Sequence, residues 1–249
     1  MSANVTVHSL GSHAEVVLGS GGSGNALGHD DWRALELAFR NLSEDIRVVV
    51  VRGSGSTFSA GSDLREWVHA APHDVDRAFA AMEAACTAIE ECPTPVIAQV
   101  NGVAAGAGCQ LALACDLRVF ADDARIGMPI ARLGILVSPA FAARLALLAG
   151  HGLARELLYT GRLLSAAEAV ASGLANRRVP AVELSTATAE LAAAVAAQPR
   201  AALVAAKQAV SVGLSPTRAA ADSFASGPAV SYEDFQRGVT AFLSRSRGH

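Results

Sequence analysis

Two patterns alternate along this chain: short apolar runs, and longer stretches in which apolar residues return every three or four positions. Residues 14–18 alternate weakly and predict a short strand. The runs at 46–51 and 95–100 are nearly continuous, the mark of strands covered on both faces. Between them, Asp30 is expected to cap a helix over 30–42, with Trp32, Leu35, Phe39 and Leu42 on one face. A second helix is predicted over 74–91, ended by Cys92-Pro-Thr-Pro95, where the prolines hold the chain extended. Residues 110–115 read as a buried helix, and 122–127 as a turn and short strand. Beyond Pro139 the pattern is almost wholly helical. Amphipathic segments at 144–148 and 154–159 precede a capping box at Ser165 and Glu168, a helix stop at Gly173 and a brief strand near 176–180. Helices are then expected near 182–197, 200–212 and 217–226. Strand and helix in this succession predict an α/β fold rather than an all-β one.

The junction between the 95–100 run and the 110–115 helix is rich in small residues: Asn101-Gly102 turns the chain, and Gly106-Ala107-Gly108-Cys109 leads into the helix. Glycines packed this closely mean that backbone approaches something, either another segment or a ligand. The first N–H groups of a helix are unpaired and favour negative charge, so Ala107-Gly108 is a candidate backbone site for an anion. Gly102-x-x-x-Gly106-x-Gly108 also has the spacing of the dinucleotide loop of short-chain dehydrogenases. That loop belongs after the first strand, far upstream of Gly102. The Tyr-x-x-x-Lys pair such enzymes need is missing, because Tyr159 is followed at that spacing by Leu163 and Tyr232 by Gln236.

Five motifs in order carry a better match. Phe58-Ser-Ala-Gly-Ser-Asp-Leu64 precedes Pro95-Val-Ile-Ala-Gln-Val-Asn-Gly102, then Gly106-Ala-Gly-Cys-Gln-Leu-Ala112 with Cys115-Asp116-Leu-Arg118. Gly127-Met-Pro-Ile-Ala-Arg-Leu-Gly134 and Tyr159-Thr-Gly-Arg-Leu-Leu-Ser-Ala-Ala-Glu-Ala169 follow. Together they resemble the enoyl-CoA hydratase/isomerase (crotonase) superfamily over residues 14–246. The resemblance implies a crotonase-like spiral of ββα units over 1–190 with a C-terminal helical region, 191–249, that serves trimerisation or forms a lid. It implies a homotrimer or a dimer of trimers.

The same resemblance implies the chemistry. The backbone N–H groups of Ser62 and Ala107 would form an oxyanion hole for the thioester carbonyl of an acyl-CoA, as in fatty acid metabolism. Ala60, Asp63, Leu64 and Arg65 would lie along coenzyme A and substrate, joined by Phe242 and Arg245 from the closing helix. Hydratases of the family hold a water between two glutamates; Gln110 and Ile130 stand at those positions here. An amide does not ionise near neutral pH and an isoleucine handles no proton, so hydration by two glutamates is not expected. Ser138 occupies the position where some isomerases keep an acid. Asp63 and Asp116 are expected to be structural, and Glu66 and His69 to face solvent. Two functions stay open: an enzyme that stabilises a thioester enolate with an acid or base not yet identified, and a non-catalytic acyl-CoA binder.

Composition narrows the picture further. A chain of 249 residues, 51% hydrophobic, can bury a large core, while a net charge of −3 offers no basic field for nucleic acid. Gln99, Asn101 and Gln110 argue against a membrane span at 96–114. Cys86, Cys92, Cys109 and Cys115 lack metal-ligand spacing and read as buried reduced thiols. No signal peptide is apparent, so a cytoplasmic protein is expected, with no cofactor beyond the coenzyme A carried by its substrate and no metal.

Overall fold

A computed structural model describes residues 4–20, 22–224 and 228–246, without side chains at 213–224, 245 and 246. The chain opens with an antiparallel hairpin, β1 (Val5–Leu10) and β2 (His13–Leu18), closed through Gly11. Leu27 then lies in the extended segment before α1 (His29–Arg40). A second turn runs from β3 (Val48–Gly53) through an extended stretch to α2 (Pro72–Glu91). The third comprises β4 (Val96–Val100), β5 (Val103–Ala105) and α3 (Ala107–Ala114). The fourth comprises β6 (Leu117–Ala121), β7 (Arg125–Gly127) and α4 (Pro139–Thr160). After β8 (Leu163–Ser165) and α5 (Ala166–Ala171), β9 (Arg177–Val179) completes the sheet, and α6 (Leu184–Ala196), α7 (Arg200–Phe224) and α8 (Tyr232–Ser246) finish the chain.

Two layers result. The main sheet has the order β1-β2-β3-β4-β6-β9, parallel throughout except for the first hairpin. A second sheet, β5-β7-β8, is extended by single-residue bridges, Ser59 to Ala104 and Ser62 to Leu27. Each turn therefore lays one strand in the main sheet and one extended piece in the second layer before its helix. This is the ββα spiral with a C-terminal helical region that the resemblance implies.

Val48, Val49, Val51, Ile97 and Val100 are wholly buried, as strands covered on both faces require. Trp32, Leu35 and Phe39 of α1 bury the face read from their spacing. The capping of α1 differs from expectation. Asp30 is exposed; Gly28 is the N-cap and Asp31 accepts from its N–H at 2.9 Å, while also bonding Asn4, just before β1. A carboxylate one residue further in can face the hairpin, and Asp30 cannot. The helices expected at 200–212 and 217–226 run as one, α7, through Gly213 and Pro216. Low helix propensity is a local penalty and does not by itself end a helix. Strands β1, β5, β6 and β8 were not anticipated. α6 packs on β3, β4 and β6.

Candidate active site

The extended pieces of turns two, three and four end side by side, and a cavity of about 450 Å³ opens where they stop. Ser59 pairs with Ala104 in parallel register, so Ser62 and Ala107 each stand three residues beyond one bridge. Neighbouring strands lie about 4.7–4.9 Å apart. That separation lets two N–H donors reach one oxygen with bonds of about 2.9 Å.

Both amides are unpaired. Around Ser62, Leu27 N donates to Gly61 O at 2.8 Å and Asp63 N donates to Leu27 O at 2.9 Å, so the Ser62 N–H points to the opposite side. Ala107 is the first residue of α3, where the N–H has no partner within the helix. Among the described residues neither N–H donates a hydrogen bond. Gly106 precedes Ala107 at φ 55° and ψ −125°, a conformation that a side chain would oppose. Gly61, at φ 100°, brings the other arm so close that an added Cβ would lie 2.8 Å from Ala107 N.

The lower arm is braced from behind. The buried Ser59 hydroxyl donates to Asn25 O at 2.9 Å and accepts from Gly61 N at 3.0 Å. Asn25 in turn donates from Nδ2 to Ser54 O and Thr57 O, at 2.8 and 2.6 Å. Gly108 lies against the Ser59 carbonyl, so its closeness is to another backbone segment. Nothing in the spacing alone distinguished these bracing residues from an ordinary turn.

The remaining expected residues gather in the same cavity. Gln110, 5% exposed, and Ile130, 8% exposed, sit in its wall, and among the described residues the Gln110 Oε1 has no hydrogen-bond partner. Ser138 also lines it, as N-cap of α4: its Oγ accepts from Phe141 N at 3.1 Å and donates to Glu83 Oε2 at 3.3 Å. Ala60, Leu64 and Phe242 lie along the wall, with Arg65 exposed at the edge. Asp63 caps the short 3-10 helix Leu64–Trp67, and hydrogen bonds from the Arg65 guanidinium hold its carboxyl below the usual carboxylate range. Arg245 lies on the last turn of α8, and its side chain is outside the described residues. Asp116 lies elsewhere: its Oδ2 accepts from Val96 N at 2.7 Å and Lys207 Nζ at 2.8 Å. Glu66 and His69 are exposed.

Apart from Ser23, the rest of the lining is largely apolar. Trp67, Met82, Met128 and Val137 contribute to it, and Leu243 of α8 closes one side. Trp67 stacks on Phe79 at 5.2 Å and lies 5.5 Å from Phe235, which fixes α8 over the cavity. These residues read from the sequence only as core. Among the described residues no group of His, Cys, Asp or Glu could hold a metal ion. Burial pushes the Cys109 and Cys115 thiols up to about 12, so neither supplies a thiolate.

The sequence profile of the enoyl-CoA hydratase/isomerase family matches residues 14–249. The chain belongs to the crotonase family. Among crotonases, a short-chain-enoyl-CoA hydratase of Clostridium acetobutylicum is 31% identical over 250 residues, 98% of this chain and 96% of that one. An enoyl-CoA hydratase/isomerase structure from Mycobacterium paratuberculosis superposes with a TM-score of 0.89 at 26% identity, covering 97% of this chain and 99% of that one. A Thermobifida fusca structure in complex with CoA gives 0.78 at 30% identity, covering 88% and 91%. For this crotonase the spiral is thus a family property. Gln110 and Ile130 both stand in its cavity wall.

Proposed function

We propose that the cavity binds an acyl-CoA thioester and holds its carbonyl oxygen between the N–H groups of Ser62 and Ala107, stabilising the enolate of an enoyl-CoA hydratase/isomerase-type reaction. The observation that carries this is the pair of unpaired amides in register at one cavity. Donors fixed before charge develops need no reorganisation, and losing one typically costs about 10²–10³ in kcat. Coenzyme A would run along Ala60, Leu64 and Arg65, beneath Phe242, with Arg245 near its phosphates.

Ala107→Pro tests the hole directly. Proline is favoured at the first helical position and lacks the N–H. It is expected to slow conversion of a bound acyl-CoA about 100-fold or more while leaving the fold intact by circular dichroism. Full activity in this variant would overturn the proposal.

Crotonyl-CoA hydration is expected to be slow, because Gln110 and Ile130 cannot act as acid or base. Gln110→Glu combined with Ile130→Glu is expected to raise it, towards the roughly 10²–10⁴-fold contribution of such groups. A folded, ligand-binding double variant with no gain would count against these positions. A second reading, a non-catalytic acyl-CoA binder, is favoured by the apolar wall around Ile130. Butyryl-CoA binding without turnover of any thioester would establish it. We also read the chain as a homotrimer or dimer of trimers, on the exposed Leu136, Leu147, Val210 and Phe242. Light scattering at three or six chain masses is the expected result.

A further inference from the structure

The cavity needs a group that moves a proton, and its own wall is short of one. Its side-chain polar groups among the described residues belong to Ser23, Ser62, Asp63, Arg65, Trp67, Gln110 and Ser138, and the Trp67 indole N–H moves no proton near neutral pH. Asp63 is held ionised by Arg65, and Gln110 does not titrate. Ser138 differs from the other hydroxyls because a carboxylate stands directly behind it. Its Oγ donates to Glu83 Oε2 at 3.3 Å while accepting from Phe141 N. Glu83 lies on α2 and lines a second cavity of about 660 Å³ on the far side of this contact. Its other oxygen, Oε1, is 3.4 Å from Arg144 Nη2 on α4, and Arg144 is shared with Glu90 at 2.6 Å. The buried Cys86 thiol is a further titratable group near it. One carboxylate oxygen is therefore anchored and the other faces the serine.

We propose that Ser138 exchanges a proton with the carbon next to the thioester carbonyl, and that Glu83 receives and returns it through the Ser138 hydroxyl. This rests on the acyl-CoA reading above. The Ser138 oxygen takes the α-proton as its own proton passes to Glu83 Oε2. The C–H electron pair becomes the enolate double bond, and the carbonyl pair moves onto the oxygen between Ser62 N and Ala107 N. The reverse steps deliver the proton to carbon. No oxidant or second reactant is needed. Ser138 is the catalytic residue and Glu83 the positioning and proton-holding one. The larger cavity gives Glu83 a route to exchange with water.

Deuterium incorporation into butyryl-CoA in D₂O, followed by mass spectrometry, tests this without assuming the overall reaction. The protein as it stands should incorporate deuterium at the α-carbon. Glu83→Gln, and Ser138→Asn, which keeps a capping oxygen for Phe141 N but removes the hydroxyl, should each slow exchange about 100-fold with butyryl-CoA affinity unchanged. Ser138→Thr, which keeps cap and hydroxyl, should restore it. Glu83→Asp, which retains the charge for Arg144 and withdraws it from Ser138, should resemble Glu83→Gln and serves if that variant does not fold. Undiminished exchange in these variants, or binding without exchange in the unmodified protein, would overturn the proposal. Failure of the unmodified protein to bind butyryl-CoA would instead overturn the acyl-CoA reading itself.

Discussion

Gly108 shows how little space separates the two arms of the site. An added Cβ would collide with the Ser59 carbonyl, which is backbone and braced through its own hydroxyl to Asn25. Gly108→Ala is therefore expected to destabilise the protein by about 1–3 kcal/mol, the usual cost of overpacking. A lower urea midpoint with an unchanged slope would show it; an unchanged midpoint would mean that the arms can separate freely. At this scale the sequence was partly legible. The glycines declared a close approach, and the motif order placed Ser62 and Ala107 together. What each glycine approaches was not visible, because Ser59 is distant in sequence and its partners are main-chain atoms. Gln110, Ile130 and Ser138 could be located, yet the carboxylate behind Ser138 comes from the middle of a helix read only for its extent and its proline stop.

Among the elements, α5 begins with a complete capping box. Ser165 Oγ accepts from Glu168 N at 3.3 Å, and the Glu168 carboxylate accepts from Ser165 N at 2.8 Å. Hydrogen bonds from the Ser165 backbone, then from its hydroxyl and from Arg162, lower the Glu168 carboxyl to about 2. In the unfolded chain a glutamate titrates near 4.3. The folded value lies below that, so the stabilisation is full above about pH 4.3 and fades as pH falls towards 2. Glu168→Gln is expected to lower the melting temperature at pH 7, with the gap to the unmodified protein closing by pH 2. A gap independent of pH would show that the charge contributes nothing. This box was legible because its residues are local. Strands β5, β7 and β8, three residues each, are too short for a period to register, although 125–127 was signalled by its turn. The second layer continues them with single bridges, which leave no pattern in one sequence.

At the scale of the molecule, an ion pair ties the helical region to the spiral. Lys207 of α7 donates to Asp116, to Ile89 O at 3.2 Å and to Thr94 O at 3.3 Å, while Asp116 also holds Val96 N on β4. Asp116 retains 30% side-chain exposure, which limits the penalty of stranding it. Lys207→Met is expected to cost about 1–3 kcal/mol by leaving Asp116 unpaired. Adding Asp116→Asn should recover part of that loss, since neighbouring changes are not additive. Hydrogen exchange along α7 should rise in the single variant; protection equal to the parent would mean that other packing holds the helix.

In the proposed oxyanion hole the two amides would face one point because the pieces bearing them run side by side, counted from the Ser59–Ala104 bridge. Their spacing is thus a repeat distance of the polypeptide itself, indifferent to which side chains surround it. Deleting a single residue between 59 and 62 would rotate the Ser62 amide to the reverse edge, because alternate peptide groups point opposite ways. Chain length through that loop is therefore as strict a requirement of the site as the glycines that flank its amides.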